Sequence, residues 1–236
     1  MDSGTGGRRP WVMRQTWHDL LFAHWRVGAR RLRGLVPAPL ALDLFDGDAW
    51  VGVVPFVMSD VAPRGVPAVP WLSSFAELNV RTYVTVHGRG GVYFFSLDAE
   101  RLLAVAAARA LFGLPYFSAR MRVRRTDIIH YQSRRRAGDA EFEARYAPAG
   151  AAYEAAAGTL DHFLTERYCL YTVGRAGTVS RLDISHRPWQ LQPAVADIRR
   201  NTMLAAAGIA HPGAPPVLHF ARQQTMAGWL PITVGS

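Results

Sequence analysis

The sequence concentrates its reactive side chains in the run Phe75-Ala76-Glu77-Leu78-Asn79-Val80-Arg81-Thr82-Tyr83-Val84. Read with a period of two, Phe75, Glu77, Asn79, Arg81 and Tyr83 share one face. Ala76, Leu78, Val80, Thr82 and Val84 share the other, which reads as core. The first face sets an acid, an amide, a guanidinium and a phenol in line at intervals of about 6.6 Å. A carboxylate so placed serves as general acid or base. An arginine clamps a substrate carboxylate through paired hydrogen bonds. Glu77 and Arg81 are also expected to hold each other's charge. Two placements fit this stripe: the wet side of an antiparallel sheet, with the two charges in a cross-strand network, or the inner wall of a barrel-like cavity.

The rest of the chain narrows the chemistry. All 27 basic residues are arginine, so no lysine side chain is present to form a Schiff base. The glycine signatures of dinucleotide and phosphate sites, GxSxG and HExxH do not occur. The eight histidines are scattered, and His18 and His24, six apart on an expected helix, fall on different faces. No metal site and no cofactor are expected. Cys169 stands alone, which excludes an internal disulfide, and its strand setting reads as a buried, inert thiol. The formal charge is +9, but its clusters (Arg30 to Arg33, Arg120 to Arg125, Arg134 to Arg136, Arg199-Arg200) match no nucleic-acid motif. No specific nucleic-acid partner is expected. The start of the chain lacks the apolar stretch of a signal peptide. The longest uncharged apolar run, Ala49 to Ser59, is shorter than the ~20 residues of a membrane helix. A cytoplasmic protein without a membrane partner is the expectation.

These groups need elements to position them. Residues 1–10 read as a flexible start and 11–236 as a single domain. Trp17, Leu20, Leu21, His24 and Trp25 recur at helical spacing, predicting a helix from Thr16 to Arg33. Strands follow at Leu40 to Leu44 and Ala49 to Met58, across Asp46-Gly47-Asp48. Ser74 to His87 and Val92 to Leu97 form a hairpin around Gly88-Arg89-Gly90-Gly91. Asp98 is read as the cap of a helix reaching Phe112, ended by Gly113 and Pro115. Arg122 to Arg135 with Glu141 to Tyr146, and Tyr168 to Gly174 with Thr178 to His186, read as two more hairpins. Thr159 to Glu166 reads as a short helix, Pro193 to Ala207 as helical or mixed, and Val217 to Arg222 as a last strand. Many hairpin-joined strands and few helices give an α+β class: a curved antiparallel sheet closing into a barrel.

Several stretches resemble known families. Arg31-Leu32-Arg33-Gly34-Leu35-Val36-Pro37-Ala38-Pro39-Leu40, Phe75-Ala76-Glu77, and Ala108 to Phe117 resemble, in order and spacing, segments of the acetoacetate decarboxylase family. The chain is more similar still to the uncharacterised YqjF-like family in Trp17 to Trp25, Phe75 to Val84, Phe112 to Tyr116 and His186 to Gln192. The resemblance implies a cone-shaped antiparallel barrel with a polar interior pocket. It matches Glu77 to a family acid and puts Tyr116-Phe117 where that family carries two lysines. A second family acid falls near Val54, which has no carboxylate. The decarboxylase mechanism needs its imine-forming lysine, so it does not carry over.

Two functions follow from these residues. One is a lysine-independent lyase, hydratase or cyclase acting on a small oxo acid or related carbonyl compound. Glu77 moves a proton, Tyr116 supports a carbonyl or enolate oxygen, and Arg81, Asn79, Tyr83 and Arg109 bind the substrate. The other is a non-catalytic barrel that binds or senses a small anionic or carbonyl-containing molecule. Homo-oligomer formation is left open by the sequence.

Overall fold

The computed structural model describes residues 9–65, 74–100, 113–174 and 176–235. The chain runs β1 (Met13–Val27), α1 (Ala29–Arg33), β2 (Ala41–Leu42), β3 (Ala49–Pro63), β4 (Phe75–Val86), β5 (Arg89–Ala99), β6 (Tyr116–Arg125), β7 (Ile129–Arg135) and β8 (Glu141–Pro148). It continues through α2 (Leu160–Thr165), β9 (Cys169–Val173), β10 (Val179–Ser185), β11 (Leu191–Asn201), α3 (Met203–Ala206), β12 (Val217–Gly228) and β13 (Ile232–Gly235).

Nine strands close into a ring in the order β5-β6-β7-β8-β11-β12-β1-β3-β4 and back to β5. The sheet also forks. Leu97–Ala99 of β5 pair in parallel with Tyr116–Ser118 of β6, while Val92 of the same strand pairs with Leu170 of β9. Strand β12 gives Phe220 and Ala221 to β11, and Ala227 and Gly228 to β10. A second circuit, β5-β9-β10-β12-β1-β3-β4, therefore shares the wall β12-β1-β3-β4-β5 with the first. The two contacts at the β5 fork are parallel and the remaining pairings are antiparallel. On one side of the wall Leu21, Val53 and Leu78 belong to the main apolar core, with Met121, Tyr131 and Phe142 of β6–β8. Each such fully buried side chain contributes about 1.5–3 kcal/mol. The other side of the wall faces the second circuit, where the core is replaced by a cavity.

Most expected strands are present, with three corrections. Residues 13–27 are a strand, and only Ala29–Arg33 is helical. Both faces of β1 are buried, so polar alternation is missing. In addition, Asp19 takes φ 50° at a register shift against β3. That bulge switches the strand's parity, so Trp17 and Leu20 reach the same side and mimic a helical spacing. It also separates the two histidines: His18 bonds the Ser59 hydroxyl at 2.8 Å, whereas His24 is fully buried. The second correction concerns Asp98, which is no helix cap. It lies in β5, fully buried, in a two-point ion pair with Arg135 (2.9 and 2.6 Å). The rest of that expected helix, 101–112, lies outside the described residues, as do residues 1–8. Third, the segment read as helical or mixed is mixed: 191–201 is a strand, because it fills the ring between β8 and β12, and only Met203–Ala206 is helical. The β4–β5 turn falls at His87 (φ 51°) and Gly88 (φ 75°), with β5 starting at Arg89. Arg122–Arg135 is two strands around 126–128. Strand β13, which pairs with β10, was not foreseen.

Candidate functional site

The cavity on the second side of the wall measures about 430 Å³ and is lined from β1, β3, β4, β5, β6, β9, β10 and β12. Its floor follows from the alternation of β4. Phe75, Glu77, Asn79 and Arg81 line it, while Ala76, Leu78 and Val80 enter the core behind. Across the pairing with β3, Glu77 lies opposite Phe56, Asn79 opposite Val54, and Arg81 opposite Gly52. A polar stripe thus runs beside an apolar one. Gly52 is needed there: a Cβ would sit 2.8 Å from the His24 ring and 3.4 Å from Cγ of Arg81.

Glu77 is 3% exposed. Its neighbour comes from another element, because the parallel β5–β6 contact sets Tyr116 opposite Leu97. The Tyr116 hydroxyl donates to Oε2 of Glu77 at 3.0 Å. Burial raises the Glu77 carboxyl from 4.5 to about 8; the phenol's hydrogen bond opposes this and the charge of Asp98 adds to it. Burial, with the adjacent Glu77, raises the Tyr116 phenol well above its ordinary range. Asp98 is itself pushed up by burial, which outweighs the opposing pull of Arg135. Tyr131 fixes this end of β4 from behind, its hydroxyl donating to the Glu77 carbonyl at 2.7 Å. Phe117, next to Tyr116, lies under the Arg135 guanidinium, 3.8 Å from its centre.

Arg81 forms no ion pair among the described residues. It donates to the Leu164 carbonyl at 3.2 Å, its buried Nε has no partner there, and its guanidinium lies 5.3 Å from the Phe22 ring centre. The expectation that Glu77 and Arg81 hold each other's charge is corrected. They stand about 13 Å apart along an extended strand, and the displaced acidity of Glu77 comes from burial, Tyr116 and Asp98. Asn79 is 5% exposed, with its Oδ1 unpartnered among the described residues. Tyr83 does not line the cavity, although the Arg81 guanidinium lies 5.8 Å from its ring centre and donates to the same carbonyl. Tyr83 is fully buried, bonded to His24 Nε2 at 2.6 Å, and donates to the Leu164 carbonyl at 2.6 Å. With that proton committed, His24 must carry its own on Nε2 and donate to the phenol oxygen. Burial and then Arg81 hold His24 well below its usual range, so it stays neutral. Arg109 lies outside the described residues. The structure therefore brings Glu77, Asn79, Arg81 and Tyr116 together around one space.

Sequence reasoning missed the aromatic part of the cavity wall. Trp17 and Trp189 lie parallel with centroids 5.8 Å apart, Phe22 meets Trp189 edge-on at 5.0 Å, and His186 is 5.2 Å from Trp189. These come from the Trp17–Trp25 and His186–Gln192 stretches, which carry a family resemblance but no local chemical signal. Also missed was Arg167, which lines the cavity and bonds Asp43 at 2.6 Å. Its partner is far away in sequence, and nothing local signals the pair. Among the described residues no group of three or more His, Cys, Asp or Glu side chains is placed to hold a metal ion, and no helix is long and apolar enough to cross a membrane.

A family model for an uncharacterized conserved protein, DUF2071, matches residues 14–225. The chain is 47% identical over 221 residues to the uncharacterized protein YqjF of Bacillus subtilis (strain 168), covering 93% of this chain and 91% of that one. Among solved structures, an acetoacetate decarboxylase superposes with a TM-score of 0.67 at 13% identity, covering 96% of this chain and 91% of its own. The enduracididine biosynthesis enzyme MppR, solved with pyruvate, gives a TM-score of 0.67 at 9% identity, with 98% and 93% covered. At such identities the likeness establishes the fold, a closed barrel of the acetoacetate decarboxylase type. The family match and the close relative together place this chain in the DUF2071 family.

Proposed function

We propose that this protein is an enzyme that moves a proton on a small oxo acid or related carbonyl compound without forming an imine. The observation that carries the reading is Glu77, buried in the cavity wall with a pKa near 8 and bonded to Tyr116. A carboxyl near 8 is poised for both directions of transfer at neutral pH. About a tenth is ionised at pH 7, and that fraction is a much stronger base than an ordinary carboxylate.

The ionised Glu77 takes a proton from the carbon next to the substrate carbonyl. The C–H electron pair moves onto the carbonyl oxygen, and the Tyr116 phenol turns its hydrogen bond to that developing enolate. Return of the proton from Glu77 to carbon completes exchange or epimerisation; alternatively the enolate collapses to a carbon–carbon double bond, a group β to the carbonyl leaves with its bonding pair, and Glu77 gives that group the proton. Arg81, with no carboxylate partner among the described residues, supplies the anion anchor. An uncompensated, half-buried guanidinium favours an anionic ligand. The solved neighbour complexed with pyruvate supports an oxo acid as the class to try. A cytoplasmic location without nucleic-acid partners goes with this reading.

The test is a thermal-shift screen of 2-oxo, 3-oxo and hydroxy acids, with Arg81→Ala as control. A ligand at 100 times its Kd adds about 2.7 kcal/mol, a rise of roughly 5–10 °C for a chain of this size. A shift lost in the control, followed by turnover lost in Glu77→Gln, supports the enzyme. Binding with no product at any pH supports instead a barrel that binds without reaction. No shift from any acid overturns the anion anchor.

A further inference from the structure

We propose that the ligand of this cavity is an aromatic oxo acid: a carbonyl and carboxylate at the β4 stripe, with a ring seated against Trp17 and Trp189. The proposal rests on the oxo-acid reading and adds the part of the molecule that reading leaves unspecified.

Size comes first. A volume of about 430 Å³ equals the liquid share of on the order of a dozen waters and falls in the range of sites for drug-sized ligands. A three-carbon acid occupies a fraction of it. Glu77, Asn79, Arg81 and Tyr116 are the polar groups assigned to such an acid; Gln15, Thr165, Asp183 and His186 also line the cavity, as does Arg167, which is already paired with Asp43. The register then dictates what lies further along. Phe75 is two residues before Glu77 and pairs with Met58, which also pairs with Trp17. The cavity beyond the carboxyl is therefore walled by Phe75, Met58, Trp17 and Phe56, with Trp189 stacked on Trp17.

The chemistry of that wall selects a ring. Trp17 meets Phe56 edge-on at 6.0 Å and Phe22 meets Trp189 edge-on at 5.0 Å. The wall is thus a cluster of mutually packed rings, the kind of surface against which a further aromatic ring packs. It also holds unspent donors. Trp189 is 3% exposed, and its indole N–H has no partner among the described residues; the buried indole N–H of Trp17 has none either. Buried tryptophan N–H groups normally find an acceptor. Both nitrogens are closed off in this conformation, so a ring hydroxyl or ring nitrogen on the ligand meets one only when the indole turns toward it.

The experiment is isothermal titration of the full chain with pyruvate, phenylpyruvate and 4-hydroxyphenylpyruvate, each also assayed for exchange of the protons next to the carbonyl. Burial of a phenyl ring predicts that phenylpyruvate binds about thirtyfold or more tightly than pyruvate. The 4-hydroxy compound is expected to bind at least as tightly as phenylpyruvate. Trp189→Phe keeps a ring and removes the indole donor, so it should abolish any gain from the hydroxyl while leaving the preference for phenylpyruvate. The comparison among ligands on the wild-type chain needs no variant and stands even if Trp189→Phe folds poorly. Equal affinity for pyruvate and phenylpyruvate, with exchange of both, overturns the aromatic class and leaves the oxo-acid reading standing. No binding and no exchange of any of the three overturns both.

Discussion

Replacing Glu77 by Gln should change the pH dependence of stability in a calculable way. The carboxyl binds its proton more tightly when folded, at about 8 against 4.5 unfolded. The folded state therefore holds more protons than the unfolded one between these values, and stability falls as pH rises through them. The protonated group's contribution is fully present below about 4.5, declines through the neutral range and is lost above about 8. At ~1.4 kcal/mol per unit, the loss between pH 5 and pH 9 is about 4 kcal/mol. Gln keeps an oxygen for the Tyr116 hydroxyl and cannot ionise. The difference in Tm between Glu77→Gln and wild type should therefore grow with pH in the variant's favour, by about 8–15 °C across that range at ~2–4 °C per kcal/mol. Differential scanning fluorimetry at pH 5, 7 and 9 reads this directly. Tyr116 does not interfere, because its own acidity is displaced further up. A Tm difference that stays flat from pH 5 to pH 9 would refute the assignment of a raised carboxyl at Glu77.

Other perturbations have distinct readouts. Tyr116→Phe removes the hydrogen bond that restrains the Glu77 pKa, so the pH midpoint of base-dependent proton exchange should move above about 8 in a pH–rate profile. Arg135→Ala strands the fully buried Asp98 and should cost about 3–5 kcal/mol in urea unfolding; a loss under 1 kcal/mol would show that the pair is dispensable. Gly52→Ala pushes a methyl to 2.8 Å from the His24 ring and should cost about 1–3 kcal/mol, together with weaker oxo-acid binding as Arg81 is displaced. Borohydride added with pyruvate should leave every internal peptide unmodified by mass spectrometry, because the sequence has no lysine; a reduced adduct on an internal residue would contradict the imine-free reading.

The β4 stripe was legible because one of its faces is apolar except for Thr82, so period two survives: Glu77, Asn79 and Arg81 all line the cavity as the alternation requires. The hairpins were legible where glycine takes a positive φ, as at Gly88, Gly138 and Gly177. Strand β1 was not legible, because burial on both faces erased alternation and the Asp19 bulge imitated a helix. The forked sheet was beyond reading too: whether β5 pairs with β6, β9 or both depends on contacts between segments distant in sequence. The same limit hid the Asp98–Arg135 pair and the Trp17–Trp189 wall, each joining residues far apart in the chain. The partnership of Tyr116 with Glu77 came from the family resemblance and from proton chemistry, and the β5–β6 contact gives it a geometry.

The central claim is that Glu77 moves a proton on a bound carbonyl compound. Its most direct measurement is proton NMR of pyruvate and phenylpyruvate in deuterium oxide with catalytic amounts of protein. The account predicts loss of the signal from the protons next to the carbonyl at a rate well above the protein-free control. That rate should rise with pH toward a midpoint near 8 and fall to the control in Glu77→Gln, with binding retained. Exchange that is unchanged in Glu77→Gln, or absent from the wild type while the acids bind, would contradict it.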